Sequence, residues 1–70
     1  TVLMKGSVFM PKVTIQMFEG RTLEQKRNMV AKVTDAIAET INARKEAIDI
    51  TIIEVSKENC AIGGQLYSDK

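Results

Sequence analysis

The chain has 70 residues, a formal net charge of +1, a single cysteine and no histidine. A chain this short forms one domain and buries only about 60% of the surface of its unfolded state, so it needs a disulfide, a metal or self-association for stability. One cysteine excludes an internal disulfide, and the lack of histidine argues against a structural zinc site. Self-association is therefore the expected source of stability.

Net charge and hydropathy limit the classes of partner that the protein can bind. Basic and acidic residues, 10 and 9 in number, are interspersed along the chain, which is not the pattern of a protein that binds nucleic acid or a membrane surface. The apolar stretch Val8–Met10 is too short for a signal peptide or a membrane span. We expect a cytoplasmic protein that binds neither nucleic acid nor membranes.

Residues 1–10 form a segment of their own, in which two apolar stretches flank Lys5-Gly6-Ser7. This pattern is typical of a hairpin that leads into the first strand and equally of a frayed terminal tail. We predict an N-terminal extension over residues 1–10, absent from the mature chain if an upstream start has been chosen, and one domain over residues 11–70.

Pro11, the only proline, follows Met10. A chain that begins at Met10 and loses it carries a secondary amine at Pro11, a base or nucleophile that needs neither a side chain nor a cofactor. With residues 1–10 attached, the same nitrogen is a tertiary amide with no basic lone pair. The chemistry available at Pro11 thus depends on where the working chain begins.

Residues 12–18 alternate between polar and apolar, which predicts a half-buried strand that ends at the turn residue Gly20. Thr22 and Gln25 have the spacing of a capping box at the start of a helix. Apolar residues then recur every three or four positions and predict an amphipathic helix of about five turns that ends at Asn42. These apolar residues are Met29, Val30, Val33, Ile37 and Ile41.

The β-branched run from Ala47 to Val55 predicts a second strand, and Gly63-Gly64 predicts the turn of a short hairpin. A strand, a long helix and a strand imply a right-handed crossover between parallel strands. The predicted fold class is therefore α+β: a β-α-β unit with parallel strand pairing and a short C-terminal hairpin. One helix covers only one face of such a sheet, so the unit should form a dimer or a larger oligomer.

The order of these features resembles the 4-oxalocrotonate tautomerase family over residues 10–68. The residues that carry the resemblance are Met10-Pro11, Glu19-Gly20-Arg21, Glu24-Gln25-Lys26 and Ala61-Ile62-Gly63-Gly64. The resemblance implies a homohexamer built as a trimer of dimers. It also implies a cofactor-independent isomerase, without a metal, that interconverts the enol and keto forms of a small 2-oxo acid.

The same resemblance assigns site residues. Pro11 matches the proton-transferring base, and Arg21 matches an arginine that binds a substrate carboxylate and stabilises developing charge. The family's second arginine falls at Asp49, which would repel a carboxylate, and its active-site phenylalanine falls at Cys60. We therefore expect Cys60 to line the substrate site and Arg44, or its neighbour Lys45, to replace the missing cation. These departures favour a substrate other than the family's dicarboxylate.

Two functions remain open at this point. The first is a tautomerase that uses Pro11 as its proton shuttle once residues 1–10 are absent. The second is a catalytically silent oligomeric subunit of the same fold in which Pro11 stays blocked. The position of the mature N-terminus separates them.

Overall fold

The structure is a computed structural model that describes residues 10–70. The hairpin or tail considered for the N-terminal extension lies almost wholly outside the described residues. No helix between residues 10 and 70 is long and apolar enough to cross a membrane.

The alternating segment forms strand β1, Lys12–Phe18, which pairs in parallel with strand β2, Asp49–Val55. Lys12 lies opposite Asp49 and Phe18 lies opposite Val55, so the two strands begin and end together. The parallel crossover is confirmed. The prediction that the second strand starts at Ala47 was wrong, because Lys45–Ala47 form a 3₁₀ turn in which the Ala47 N–H donates to the Arg44 carbonyl at 3.0 Å.

Helix α1, Leu23–Ile41, joins these strands and confirms the predicted capping box. The Gln25 N–H donates to Thr22 Oγ1 at 3.1 Å, and the Thr22 N–H donates to Gln25 Oε1 at 3.0 Å. The helix ends at Asn42, whose φ of 58° is the left-handed conformation typical of a helix C-terminus.

The half-buried side of α1 follows the predicted periodicity from Met29 to Ile37. Ile41 does not belong to it, because its side chain is 46% exposed. The 19 residues of the helix span about 28 Å at about 1.5 Å each, whereas the seven residues of β1 span only about 23 Å. The last turn of the helix therefore extends beyond the sheet.

The helix packs on one face of the sheet and leaves the other face uncovered. Half-buried Val13, Ile15 and Met17 share the face that carries the helix, where Lys26 of α1 binds Glu54 of β2 with an Nζ–Oε2 distance of 2.8 Å. On the opposite face Ile53 remains 43% exposed. No hydrophobic residue between 10 and 70 is fully buried, so the subunit by itself has no closed core.

The predicted C-terminal hairpin is confirmed as β3, Ala61–Ile62, and β4, Gln65–Leu66. Gly63 and Gly64 have φ values of 61° and 83°, and a two-residue turn with positive φ at both positions matches the right-handed twist of hairpin strands. The 3₁₀ turns Lys57–Asn59 and Tyr67–Asp69 flank the hairpin. The Tyr67 N–H donates to the Cys60 carbonyl at 2.9 Å, which closes the base of the hairpin.

Candidate active site

The amino ends of the two parallel strands place Pro11 beside Asp49. The Asp49 N–H donates to the Pro11 carbonyl at 3.0 Å, and Pro11 is half-buried. The Asp49 carboxylate binds Lys12, with 3.0 Å between Nζ and Oδ2. Lys12 therefore offsets the negative charge that Asp49 brings to this end of the sheet. Sequence analysis missed the pair, although the parallel register that sets Lys12 opposite Asp49 could have revealed it.

Arg44 and Lys45, the cations considered as replacements for the family arginine, lie in the turn before β2. Arg44 Nε is 3.9 Å from Glu46 Oε1, and Lys45 Nζ is 2.8 Å from Asp35 Oδ1. The hydrogen bond to Asp35 raises the pKa of Lys45. Both cations thus already have a carboxylate neighbour in their own subunit, and neither is held in contact with Pro11.

Arg21 lies at the other end of the sheet, where Gly20 turns the chain from β1 into α1 with a φ of 124°. It lines a cavity of about 250 Å³ together with Met17, Gln25, Lys26 and Met29. Within residues 10–70 no carboxylate lies within 4.0 Å of the Arg21 guanidinium. The charge of Arg21 is therefore available to an anion.

A second cavity, the aromatic groove, opens at the same end of the sheet and has a volume of about 400 Å³. Phe18 and Tyr67 form an edge-to-face pair in its wall, with 5.1 Å between ring centroids and 67° between ring planes. Half-buried Cys60 lies in the same wall. The groove is lined by Gln16, Met17, Phe18, Val55, Cys60, Ala61 and Tyr67.

The aromatic pair supplies the apolar bulk that Cys60 lacks. Sequence analysis identified Cys60 but missed Phe18 and Tyr67, which are separated by 49 positions along the chain and meet only when the C-terminal turn folds back onto β1. The position of Phe18 could have indicated a place in the site, because it is the last residue of a strand and precedes Glu19-Gly20-Arg21. Met17 lines both cavities, so both lie near the carboxyl end of β1.

The predicted site residues thus fall into two groups. Pro11 and Arg44 lie at the amino end of the sheet, and Arg21 and Cys60 lie at its carboxyl end. The seven residues of β1 separate Pro11 from Arg21 by about 23 Å at about 3.3 Å per residue, which exceeds the reach of an arginine side chain. One subunit does not bring the proline and the arginine together.

Comparison with known proteins assigns the chain to a family. The family model described as "Tautomerase enzyme" matches residues 11–70. The 2-hydroxymuconate tautomerase of Bacillus subtilis (strain 168) is 52% identical over 60 residues, which cover 86% of this chain and 97% of that protein. A probable tautomerase of Bacillus cereus is 51% identical over 61 residues, covering 87% of this chain and all of the relative.

Solved structures agree with the sequence matches. YwhB, a homologue of 4-oxalocrotonate tautomerase, superposes with a TM-score of 0.83 at 50% identity and covers 86% of this chain and 98% of its own. A heterohexamer 4-oxalocrotonate tautomerase from Chloroflexus aurantiacus has a TM-score of 0.80 at 27% identity, covering 86% and 97%. The chain therefore belongs to the tautomerase family and is an isomerase of the 4-oxalocrotonate tautomerase type.

Proposed function

We propose that this chain, when it begins at Pro11, is a cofactor-independent tautomerase that interconverts the enol and keto forms of a 2-oxo acid. Pro11 carries the proton and Arg21 binds a substrate carboxylate. The observation that carries the proposal is that Arg21, which has no carboxylate within 4.0 Å in residues 10–70, lies at the same end of the sheet as the aromatic groove, in a chain whose family match begins at Pro11. The Bacillus subtilis relative acts, by its name, on 2-hydroxymuconate, a conjugated enol of this class.

The reaction needs one base and one cation. The amine of Pro11 takes the proton of the enol hydroxyl, the O–H electron pair forms the carbonyl, and the π electrons move to the carbon that receives the proton back from the ammonium. No electrons are gained or lost overall. Arg21 holds the carboxylate by two parallel hydrogen bonds and stabilises the negative charge that develops on oxygen.

The base must be unprotonated at neutral pH. An ordinary α-amine has a pKa of about 7.7–8.0 and is mostly protonated there. Apolar surroundings and a nearby cation both disfavour the ammonium form and lower this pKa. Phe18 and Tyr67 offer such surroundings, and Arg21 offers the cation.

Because β1 keeps Pro11 and Arg21 of one chain apart, a site that uses both residues needs more than one subunit. Pro11 of one chain meets Arg21 and the aromatic groove of another, and this arrangement also covers the open face of the sheet. The exposed Ile53 and the lack of a closed core in residues 10–70 support association on independent grounds. We take the assembly to be a homohexamer, arranged as a trimer of dimers.

Kinetics with phenylenolpyruvate test the proposal. The 60-residue segment from Pro11 to Lys70 is a suitable protein because a Bacillus cereus relative consists entirely of the 61 residues that match this chain. Its kcat/KM should rise with pH as the Pro11 amine loses its proton. Pro11→Ala keeps an α-amine but makes it primary and removes the ring that fixes its position, and it should lower kcat about a hundredfold, since a misplacement of about 1 Å costs a factor of this size. Equal rates for the two proteins would show that the proline ring is not needed for the reaction.

The alternative function is a silent subunit in which Pro11 stays acylated. The favouring observation is that the residue beside Pro11 is Asp49, an acidic residue whose carboxylate binds Lys12 and would repel a substrate carboxylate. A heterohexameric relative offers a precedent for unlike subunits in one assembly. This alternative predicts no turnover by the Pro11-start chain alone and recovery of activity only when a second kind of subunit is added.

A further inference from the structure

We infer that the ion pair of Lys12 and Asp49 determines substrate specificity and selects a 2-oxo acid that has one carboxylate and an uncharged opposite end. The inference rests on the proposed function, because it takes the residues beside Pro11 to face the substrate. It gives a structural cause to the expectation, drawn from Asp49, that a dicarboxylate is disfavoured.

The pair lies directly beside Pro11. Lys12 follows Pro11 in the chain, and the parallel register sets Lys12 opposite Asp49. The Asp49 N–H donates to the Pro11 carbonyl at 3.0 Å, and Lys12 Nζ lies 3.0 Å from Asp49 Oδ2. Both side chains are accessible in the subunit, with 73% and 45% of their surface exposed. A substrate that contacts the Pro11 amine is therefore close to both charged groups.

The basic side chains at this end of the sheet are already paired. Within residues 10–70, the one at the start of β1 and the two in the turn before β2 each have a carboxylate within 4.0 Å. The pairs are Lys12–Asp49 at 3.0 Å, Lys45–Asp35 at 2.8 Å and Arg44–Glu46 at 3.9 Å. Arg21, at the other end of the sheet, has no such partner in the same range of residues. This arrangement matches a substrate whose single carboxylate is bound by Arg21.

A second substrate carboxylate beside Pro11 would gain little. It can bind Lys12 only by displacing Asp49, and it then lies next to the carboxylate that it has displaced, an unfavourable contact between like charges. An uncharged group meets no such repulsion. Among residues 10–70 the Asp49 side chain accepts from Lys12 alone, so it keeps lone pairs for a substrate hydroxyl or a water.

The inference is tested in the Pro11-start chain by the ratio of kcat/KM for phenylenolpyruvate to kcat/KM for 2-hydroxymuconate. Both values report on the same free enzyme, so a change in the protonation of Pro11 cancels in the ratio. Asp49→Asn should lower the ratio about tenfold, because Lys12 is then free to make a charge-assisted hydrogen bond to the second carboxylate. Lys12→Met should raise the ratio about tenfold, because Asp49 then repels that carboxylate without a counter-charge.

Opposite changes in the two variants distinguish an effect of charge on the substrate from a merely structural pair, whose loss would act alike in both. An exposed ion pair contributes little to stability, so both variants should fold. The double variant Lys12→Met/Asp49→Asn should return the ratio to within about twofold of the unmodified protein, because the two charge effects cancel. Glu39→Gln, which neutralises an exposed carboxylate of α1, is the matched control. Unchanged ratios in both single variants, changes in the same direction, or an equal change in Glu39→Gln would overturn the inference.

Equilibrium binding separates this inference from the proposed function. The probes are cis,cis-muconate, with two carboxylates, and trans-cinnamate, with one; neither carries the enol hydroxyl, so their binding does not depend on proton transfer by Pro11. Asp49→Asn should lower the Kd of cis,cis-muconate about tenfold and change the Kd of trans-cinnamate by less than about twofold. These Kd values without turnover would reject the Pro11 mechanism and keep the role of the pair. Turnover with unchanged Kd values would reject the role of the pair and keep the mechanism.

Discussion

At the residue scale, Arg21 and Cys60 share one end of the sheet, while Pro11 and Asp49 share the other. The resemblance to the tautomerase family suggested their identities, but spacing along the chain could not show that β1 separates the proline from the arginine. That separation follows from seven extended residues, and under the proposed function it makes each subunit supply only part of a site.

Arg21→Ala in the Pro11-start chain should lower kcat/KM for phenylenolpyruvate about a hundredfold, because in the proposed mechanism the arginine binds the carboxylate and stabilises the charge that forms on oxygen. Steady-state kinetics measure the effect. Arg27→Ala is the matched control, since Arg27 is exposed and, among the residues from 10 to 70, binds only Glu24, at 3.4 Å, on the surface of α1. A similar loss in both variants would mean that Arg21 acts through general charge and does not bind the substrate directly.

The residues that sequence analysis missed share a physical cause. The aromatic pair of Phe18 and Tyr67 depends on how the C-terminal turn folds back onto β1, and no local periodicity encodes that contact. The Lys12–Asp49 pair depends on strand register, which becomes predictable only after the two strands are aligned. Cys60, by contrast, was expected from the family motif to line the substrate site; it lies in the wall of the aromatic groove, and its role in binding stays a prediction.

At the scale of elements, local signals were sufficient. The capping box, the 3.6-residue periodicity, the alternation in β1 and the Gly63-Gly64 turn act over neighbouring residues, and each produced the element that it predicts. The ends of elements were less predictable. The β-branched run could not reveal that Ala47 bonds into a 3₁₀ turn, because β-propensity does not specify where ladder bonds begin.

Thr22→Ala should lower the free energy of unfolding by about 1 kcal/mol, because it removes the side chain that accepts from the Gln25 N–H. Chemical denaturation at fixed protein concentration measures the change, since association contributes to stability. Thr40→Ala makes the same substitution near the other end of α1, where the hydroxyl donates to the Ala36 and Ile37 carbonyls and caps no N–H, and should change stability by less than about 0.5 kcal/mol. Equal losses of stability in the two variants would show that the Thr22 cap contributes no more than the Thr40 hydroxyl.

At the scale of the whole molecule, the main feature is the face of the sheet that the helix leaves uncovered, because it favours association of subunits. The subunit leaves Ile53 exposed and has no closed core in residues 10–70, as the length of the chain led us to expect. Composition could predict association but not stoichiometry, which depends on the shape of the surfaces that meet. The division of the chain into an extension over residues 1–10 and a domain over 11–70 stays a prediction.

Ile53→Asp should break the assembly into smaller species, because a carboxylate buried at a subunit interface without a partner is costly. Sedimentation velocity distinguishes the species. Ala31→Asp introduces the same charge on an exposed position of α1 and should leave the sedimentation coefficient unchanged. An Ile53→Asp protein that sediments like the unmodified one would show that this face is not an interface.

The central claim is that a free amine at Pro11 performs the proton transfer. The most direct measurement compares phenylenolpyruvate tautomerisation by the chain that begins at Pro11 with that by the same chain N-acetylated at Pro11, which differs only by conversion of the amine to an amide. We predict turnover by the first and loss of nearly all of it in the second, with both proteins sedimenting as the same oligomer. Equal turnover by the two would contradict the account, because an acylated proline has no lone pair to accept the proton.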